Sequence, residues 1–367
     1  MLQPYLREVS RGKRRARDLT YEEAVLAMQA LILGEYTDVQ AGAFLIAERI
    51  KMESAEEIHG FVDALRAECR IEPAAGGLDC AGPFDGRVRT FFAAFPAAFV
   101  LSACGVPVTL PACPRLPPKN GITLLDLERE ARRRASTRED KPQSTVEGQA
   151  GEAGKDTNSD ASRVADSDAG LRFMAPVRII DAEQWCPPLA RFRKLREELG
   201  MRTLFNTVEK MLRFTDAPFL TVGIFHGTVF GKLAEAMLRM KLERALIVQG
   251  VEGSDDLPVD KRARCMLVSG ETSEELVMDP ASLGLQSEMP EWTWTPRLQV
   301  QTAELALKGA ADLPFQNMTI WNSGVRLWLA GKAESVESGI EAARQTIVSG
   351  LAWMAYESWR SGLQPSS

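Results

Sequence analysis

The sequence has few of the residues on which metal centres and disulfide frameworks depend. Only two histidines occur, His59 and His226, and the six cysteines form no Cys-x-x-Cys pair. Because zinc sites and disulfide frameworks need clusters of such residues, we expect neither. Two histidines also disfavour catalysis by a histidine-activated serine or cysteine.

Long apolar runs are missing as well. The longest uncharged stretch, residues 91–114, is interrupted by four prolines and is not preceded by a cationic segment. We therefore expect neither a signal peptide nor a membrane span. A cytoplasmic protein is the expectation that follows.

An excess of positive charge is also absent. Lys and Arg number 44 against 50 Asp and Glu, which gives a net charge of -6. Binding to nucleic acid or anionic membrane would thus require a local basic patch. The chain's 367 residues, 45% of them apolar, suffice for two packed domains.

The N-terminal part shows helical periodicity. Apolar residues recur at helical spacing after possible N-caps at Asp18 or Thr20, at Thr37 or Asp38, and at Ser54. Residues 1–72 are therefore predicted to form a small helical domain.

After residue 73 the pattern changes to alternating strands and helices. Short β-prone segments at 99–101, 106–110, 220–225, 245–248 and 266–268 alternate with helical stretches such as 228–240 and 335–353. This alternation predicts an α/β domain over residues 73–367. Residues 131–170 contain almost no large apolar side chain and are predicted to be a disordered insertion.

Several blocks of sequence carry a resemblance to a known family. They are the run from Ala16 to Arg66, "LREELGMRTLFN" at 195–206, "VQGVEGSDDL" at 248–257, "MDP" before "SLGL" at 278–285, and "WNSGVRLWLAGKAESVESGIEAA" at 321–343. In this order they resemble the anthranilate phosphoribosyltransferase family, which also contains pyrimidine nucleoside phosphorylases. The match covers most of the chain outside residues 131–170.

The resemblance implies a fold and an activity. It implies a small helical domain, joined in space by part of 186–200 and hinged to a larger α/β domain with a mixed sheet flanked by helices. Phosphoribosyl pyrophosphate and Mg²⁺ would lie between the domains, and an aromatic amine such as anthranilate would displace pyrophosphate from the sugar C1, a step of tryptophan biosynthesis. Family members commonly pair through the helical domain, so the resemblance also implies a homodimer.

The family's glycine-rich phosphate loop is replaced here by a shorter segment, residues 79–86. Pro83 offers no N–H and Phe84 lacks the clearance of a glycine, which removes backbone donors. The remaining candidates for binding the diphosphate are Gly82, Asp85, Gly86, Arg87, Arg89, Thr90 and, further along the chain, Lys119. The alternative is an ordinary tight turn with its arginines in water.

Two other blocks keep candidate site residues. Asp255 and Asp256 align with the family's metal-binding acidic pair, and adjacent carboxylates suit Mg²⁺; an ordinary solvated turn is the alternative. Arg196 matches the arginine that faces the acceptor, although its charged neighbours are also typical of a solvated helix face.

A basic cluster near the N-terminus supports a second hypothesis. It resembles a divergent, non-enzymatic branch of the same family that binds nucleic acid, and its candidate contacts are Arg11, Lys13, Arg14, Arg15 and Arg17. A solvated segment that precedes the first long helix is the alternative.

Overall fold

The computed structural model describes residues 1–12, 14–137 and 174–362. The first helices along the chain are α1 (Gln3–Val9), α2 (Tyr21–Ile32), α3 (Asp38–Lys51) and α4 (Ala55–Arg66). They bury apolar faces against one another, with Phe44 and Phe61 fully buried and in edge-to-face contact at 6.2 Å. The N-terminal part is therefore a helical domain, as predicted.

Side chains just before these helices determine where each one begins. The side chains of Thr20, Thr37 and Ser54 each accept a hydrogen bond from the backbone N–H three residues later. The side chain at that later position accepts one in return from the backbone N–H of the capping residue. Such reciprocal caps satisfy N–H groups that the helix itself cannot pair. Of the predicted caps, Thr20, Thr37 and Ser54 are confirmed.

The rest of the chain is built on a mixed sheet. Its strands are β1 (Leu78–Ala81), β2 (Val108–Ala112), β3 (Val177–Asp181), β4 (Phe219–Gly223), β5 (Arg244–Val248), β6 (Ala263–Ser269) and β7 (Thr272–Met278). The order is β3-β2-β1-β4-β5-β6-β7, parallel from β3 to β5 and antiparallel beyond. The carboxyl ends of five strands thus share one edge, where open α/β sheets place their ligands.

Helices flank this sheet. They are α5 (Ala94–Ala103), α6 (Leu124–Ser136), α7 (Ala182–Trp185), α8 (Pro187–Leu199), α9 (Phe205–Val208), α10 (Phe230–Leu238), α11 (Pro296–Leu307), α12 (Leu313–Leu329), α13 (Val336–Val348) and α14 (Leu351–Arg360). One face of the sheet packs on α5, α12 and α14, and the other packs towards α4, α8 and α10. The apolar core on the face towards α4, α8 and α10 is therefore shared by the sheet and the helical domain.

Two predictions about local structure need correction. The segment 99–101, predicted as a strand, lies within α5, whose apolar residues are buried on all sides. Periodicity cannot separate such a helix from a buried strand. Residues 131–136, predicted to be disordered, end helix α6. The rest of the predicted insertion, except for 137, lies outside the described residues.

Among the described residues no helix is both long and apolar enough to cross a membrane.

Candidate functional site

The segment after β1 lies at the carboxyl edge of the sheet, but its aromatic side chain points into the core. Phe84 is 2% exposed and belongs to the core shared with the helical domain. Gly86 has a φ of +77°, and a Cβ there would lie 2.6 Å from the Ile122 carbonyl oxygen. Only glycine therefore fits at this position, next to the β-bridge that pairs Arg87 with Ile122. The cavity beside Gly82 and Pro83 measures about 20 Å³, too small for a diphosphate.

The predicted diphosphate contacts on this segment face different ways. Arg87 is 2% exposed, and its Nη1 donates to the Phe91 carbonyl at 2.8 Å. Arg89 has an exposed side chain. Its backbone N–H and the Thr90 hydroxyl both donate to Glu252 Oε1, at 2.7 and 3.0 Å. Glu252 therefore organises the turn, a role the sequence analysis did not assign.

The acidic pair, Asp255 and Asp256, follows β5 and is almost completely buried, 3% and 0% exposed. Arg326 Nη2 lies 2.8 Å from Asp255 Oδ2 and 2.9 Å from Asp256 Oδ1. Arg87 Nη1 lies 2.6 Å from Asp256 Oδ2 and forms an ion pair with it, not a hydrogen bond. Thr221 donates to Asp255 Oδ2 at 2.7 Å. The two arginines thus balance both carboxylates.

These contacts also set the protonation state of Asp256. Burial on its own would raise the pKa of Asp256, but the charges of Arg87 and Arg326 outweigh it and hold that pKa below its ordinary value. Asp256 is therefore ionised at neutral pH, and its negative charge is already matched within the protein.

The donor set does not fit magnesium. Mg²⁺ requires oxygen ligands at about 2.0–2.1 Å in octahedral geometry, whereas both oxygens of Asp256 and the Oδ2 of Asp255 lie against guanidinium nitrogens. Within residues 1–12, 14–137 and 174–362 no group of three or more His, Cys, Asp or Glu side chains could hold a metal. The acidic pair as it stands therefore does not fit a metal ion.

Arg196 is held in a buried ion pair. It is 3% exposed, and its two terminal nitrogens lie 2.6 and 3.3 Å from the carboxylate oxygens of Glu209, which is 1% exposed. A guanidinium paired in this way is already neutralised before any acceptor arrives. Its predicted contact with the acceptor stays a prediction.

A cleft with several charged side chains lies between the helical domain and the carboxyl edge of the sheet. Its cavity measures about 250 Å³. The cations that line it are Arg49, Arg202, Lys210 and Lys232, and its acidic groups are Glu53, Asp85 and Glu252. Lys232 donates to the Glu53 carbonyl at 3.2 Å and so joins α10 to the segment that precedes α4.

Asp85 lies at the centre of the cations on the sheet side of this cleft. Arg202 Nη2 donates to Asp85 Oδ2 at 2.9 Å, and Lys119 Nζ lies 3.9 Å from Asp85 Oδ1. Lys119 also donates to the carbonyls of Gly86 and Glu252, at 3.2 and 3.0 Å. The structure therefore brings the predicted Asp85, Gly86 and Lys119 together.

Lys210 is the cleft residue that sequence reasoning missed. Its Nζ donates to the carbonyls of Gly223 and Gly253, at 2.7 and 3.1 Å. Burial lowers its pKa to about 8, although Asp85 and Glu209 act in the opposite direction. No motif marked it, because its two partners are carbonyls of the last residue of β4 and of the turn after β5. Arg202, in contrast, lies within residues 195–206, one of the blocks that resemble the family.

The N-terminal basic cluster is partly neutralised by neighbouring carboxylates. Arg11 pairs with Glu8 at 2.6 Å, and Arg17 pairs with Glu8 at 3.0 Å and with Glu23 at 2.6 Å. Arg14 and Arg15 are exposed, whereas Lys13 lies outside the described residues.

Comparisons with known proteins agree with this architecture. Residues 3–69 match the helical bundle domain of a glycosyl transferase family, and residues 169–353 match its a/b domain. An anthranilate phosphoribosyltransferase from Natronomonas pharaonis is 30% identical, with 96% of each chain covered. An uncharacterised Aquifex aeolicus protein is 29% identical over 93% of this chain and 97% of its own.

Solved structures show the same likeness. The crystal structure of anthranilate phosphoribosyltransferase from Thermus thermophilus has a TM-score of 0.74 and 25% identity, covering 98% of this chain and 99% of its own. The Saccharomyces cerevisiae enzyme in complex with PRPP and Mg has a TM-score of 0.73 at 17% identity, covering 99% and 97%. The yeast structure supports the fold alone.

Proposed function

Since the chain belongs to the glycosyl transferase family whose helical bundle and a/b domains it matches, we propose that it is a phosphoribosyltransferase-like enzyme. The donor is phosphoribosyl pyrophosphate and the acceptor is an aromatic amine, either anthranilate or an analogue of it. The relatives named anthranilate phosphoribosyltransferase support this choice, because one of them is 30% identical along 96% of both chains. A cytoplasmic location is part of the proposal.

The observation that carries the proposal is the cationic cleft at the carboxyl edge of the sheet. The side chains of Arg202, Lys210 and Lys119 lie around the carboxylate of Asp85. With Arg49 and Lys232 they outnumber the three carboxylates of the cleft, Glu53, Asp85 and Glu252. An excess of positive charge in a partly enclosed site attracts phosphate groups and stabilises charge on a leaving diphosphate.

Each wall of the cleft has a role in this proposal. Lys210 and Arg202 face the donor's phosphates, and the helical domain covers the cleft and limits access of water. Phe225, 46% exposed and with the Arg202 guanidinium carbon 5.4 Å from its ring centroid, offers an apolar surface to an aromatic acceptor. Mg²⁺ does not enter the proposal, because arginines hold the acidic pair.

Calorimetric titration of phosphoribosyl pyrophosphate into the purified chain tests the donor site. We expect saturable binding that is the same with and without Mg²⁺ and about tenfold or more weaker in K210M and R202M, since each loses a charged contact with phosphate. K261M, which removes an exposed lysine outside the cleft, is the matched control. Absence of binding up to about 1 mM ligand would refute the donor assignment.

A second candidate function is nucleic-acid binding without transferase activity. The small cavity beside Gly82 and Pro83 favours it, since a diphosphate does not fit there. Exposed Arg14 and Arg15 supply cations that can contact phosphates.

Fluorescence anisotropy with a labelled oligonucleotide at several salt concentrations separates the two candidates. If Arg14 and Arg15 each contact a phosphate, the R14A/R15A double variant lowers the slope of log affinity against log salt by about 2. K194A/K261A, which removes two exposed lysines elsewhere, serves as control. An unchanged slope in R14A/R15A rules out these contacts.

We further propose that two copies pair through the helical domain. Helix α3 leaves Val39, Ile50 and the following Met52 exposed by 81%, 73% and 53%. These three residues line an apolar groove of about 1090 Å³ that runs between α3 and α8. Large exposed apolar surfaces of this kind are typical of protein interfaces.

A further inference from the structure

Four charged side chains form a closed cluster at the carboxyl edge of the sheet, and we call it the carboxylate–guanidinium cluster. It consists of Arg87, Asp255, Asp256 and Arg326. Its members are between 0% and 3% exposed. The cluster carries two positive and two negative charges, so it is neutral as a whole.

The stability of this cluster depends on its being complete. Removing one partner of a buried ion pair is strongly destabilising, because it leaves the other charge uncompensated. Arg326 Nη2 contacts both carboxylates, and its Nη1 donates to Asn322 Oδ1 at 2.8 Å. Arg87 completes the set from the opposite side of Asp256. Its guanidinium carbon also lies 4.2 Å from the ring centroid of Phe92.

The cluster connects three parts of the chain that are far apart in sequence. Arg87 belongs to the segment after β1, the two aspartates belong to the loop after β5, and Arg326 belongs to α12. Asn322, one turn before Arg326, accepts from the Leu257 N–H at 2.8 Å and donates to the Leu257 carbonyl at 3.0 Å. The same helix therefore holds both the acidic pair and the backbone next to it.

A guanidinium and a divalent cation would compete for the same place. Both are cations that need carboxylate oxygens, and Mg²⁺ would have to approach those oxygens to about 2.0–2.1 Å. The oxygens of Asp256 lie 2.9 and 2.6 Å from nitrogens of two different arginines. A metal ion could bind there only after one guanidinium had moved away.

We infer that Arg87 and Arg326 replace a divalent cation at Asp255 and Asp256, so that this chain binds no metal at the acidic pair. The cluster instead fixes the segment after β1 against the loop after β5. This inference goes beyond the proposed transferase function and does not depend on it, because it concerns the charge balance of the protein without substrate.

Titration with Mn²⁺ alone, followed by electron paramagnetic resonance of the free ion, tests the wild-type chain. We expect no saturable binding up to about 1 mM Mn²⁺. Binding below that concentration that is lost in D255N/D256N would overturn the inference. Loss of phosphoribosyl pyrophosphate binding would instead count only against the proposed function, so the two failures are distinguishable.

The R87M variant tests the exchange of arginine for metal directly. Removing the guanidinium frees Asp256 Oδ2, and we expect Mn²⁺ to bind to R87M and to raise its Tm by about 2 °C or more. R134M is the matched control, because Arg134 is also buried and pairs at 2.9 Å with buried Glu304, away from the acidic pair. R134M should show no response to Mn²⁺.

Failure of R87M to bind Mn²⁺ would show that Arg87 does not occupy a metal's place. If R87M does not fold, D256N keeps the inference testable in the otherwise intact chain. We expect D256N to lower the Tm while leaving the Mn²⁺ titration flat. A D256N variant as stable as wild type would contradict the role of the cluster.

Discussion

At the scale of single residues, Lys210 explains how the cleft could respond to pH. Its ammonium group is buried beside two backbone carbonyls, and burial lowers its pKa to about 8. A lysine carries its positive charge only below its pKa. The positive charge facing the cleft therefore decreases as the pH rises through about 8.

This shift predicts a pH dependence of donor binding. The affinity of the wild-type chain for phosphoribosyl pyrophosphate should fall between pH 7 and pH 9, because Lys210 loses its proton while the donor's phosphates keep their charge. K210M should bind more weakly at pH 7 and show no such fall. Calorimetry across this range measures both, and a flat wild-type profile would exclude Lys210 from the phosphate contacts.

The buried pair of Arg196 and Glu209 leads to a prediction about stability. R196M should lower the free energy of unfolding by about 3–5 kcal/mol, because it leaves a buried carboxylate without its partner. The double variant R196M/E209L, which removes both charges, should recover most of this loss. Urea unfolding of the three proteins measures the difference.

An equal loss in R196M and R196M/E209L would show that packing, and not charge, dominates at this site. Wild-type stability in R196M would show that the pair is not formed, and Arg196 would then be available to an acceptor as the sequence suggests.

At the scale of elements, α12 and α13 pack at backbone distance. A Cβ on Gly339 would lie 2.3 Å from the Gly324 carbonyl oxygen, and a Cβ on Gly324 would lie 2.7 Å from the Ile340 nitrogen. Both glycines are helical, so they are needed for close approach and not for a special backbone conformation. This contact positions α12, which carries Arg326 and Asn322.

Substitution of a glycine at this contact should have the opposite effect to substitution of a glycine with open space around it. G339A should destabilise the protein by about 1–3 kcal/mol, because the added methyl group has no room. G231A is the matched control in α10, where a Cβ meets nothing within 4 Å, and should be stabilising by up to about 1 kcal/mol. Thermal unfolding of both variants measures the contrast; equal effects would refute the proposed tight contact.

At the scale of the whole molecule, the exposed face of α3 carries the proposed pairing of two copies. We expect light scattering coupled to gel filtration to give twice the 40.4 kDa chain mass. V39D/I50D should be monomeric, because charges replace one exposed apolar side chain near each end of α3. V348D, at a residue that is 86% exposed on α13, should remain a dimer. A monomeric wild-type chain would refute the pairing.

The sequence alone was sufficient to predict the architecture. Apolar periodicity and caps at Thr20, Thr37 and Ser54 are local signals, so the helical domain could be recognised without tertiary information. Alternating strands and helices likewise predicted the α/β domain. The strand predicted at 99–101 was wrong, because an apolar run buried on all sides carries no periodicity.

Only the tertiary structure decided what surrounds the predicted site residues. The sequence places Asp255 and Asp256 in a family-like loop, but their partners Arg87 and Arg326 lie about 170 and 70 positions away along the chain, where no local pattern links them. Arg196 and Glu209 are only 13 positions apart, and Lys210 lies 13 and 43 positions from its two carbonyls, but here too no local pattern links the partners. Charge balance in a buried site is set by distances between side chains, and the fold alone determines those distances.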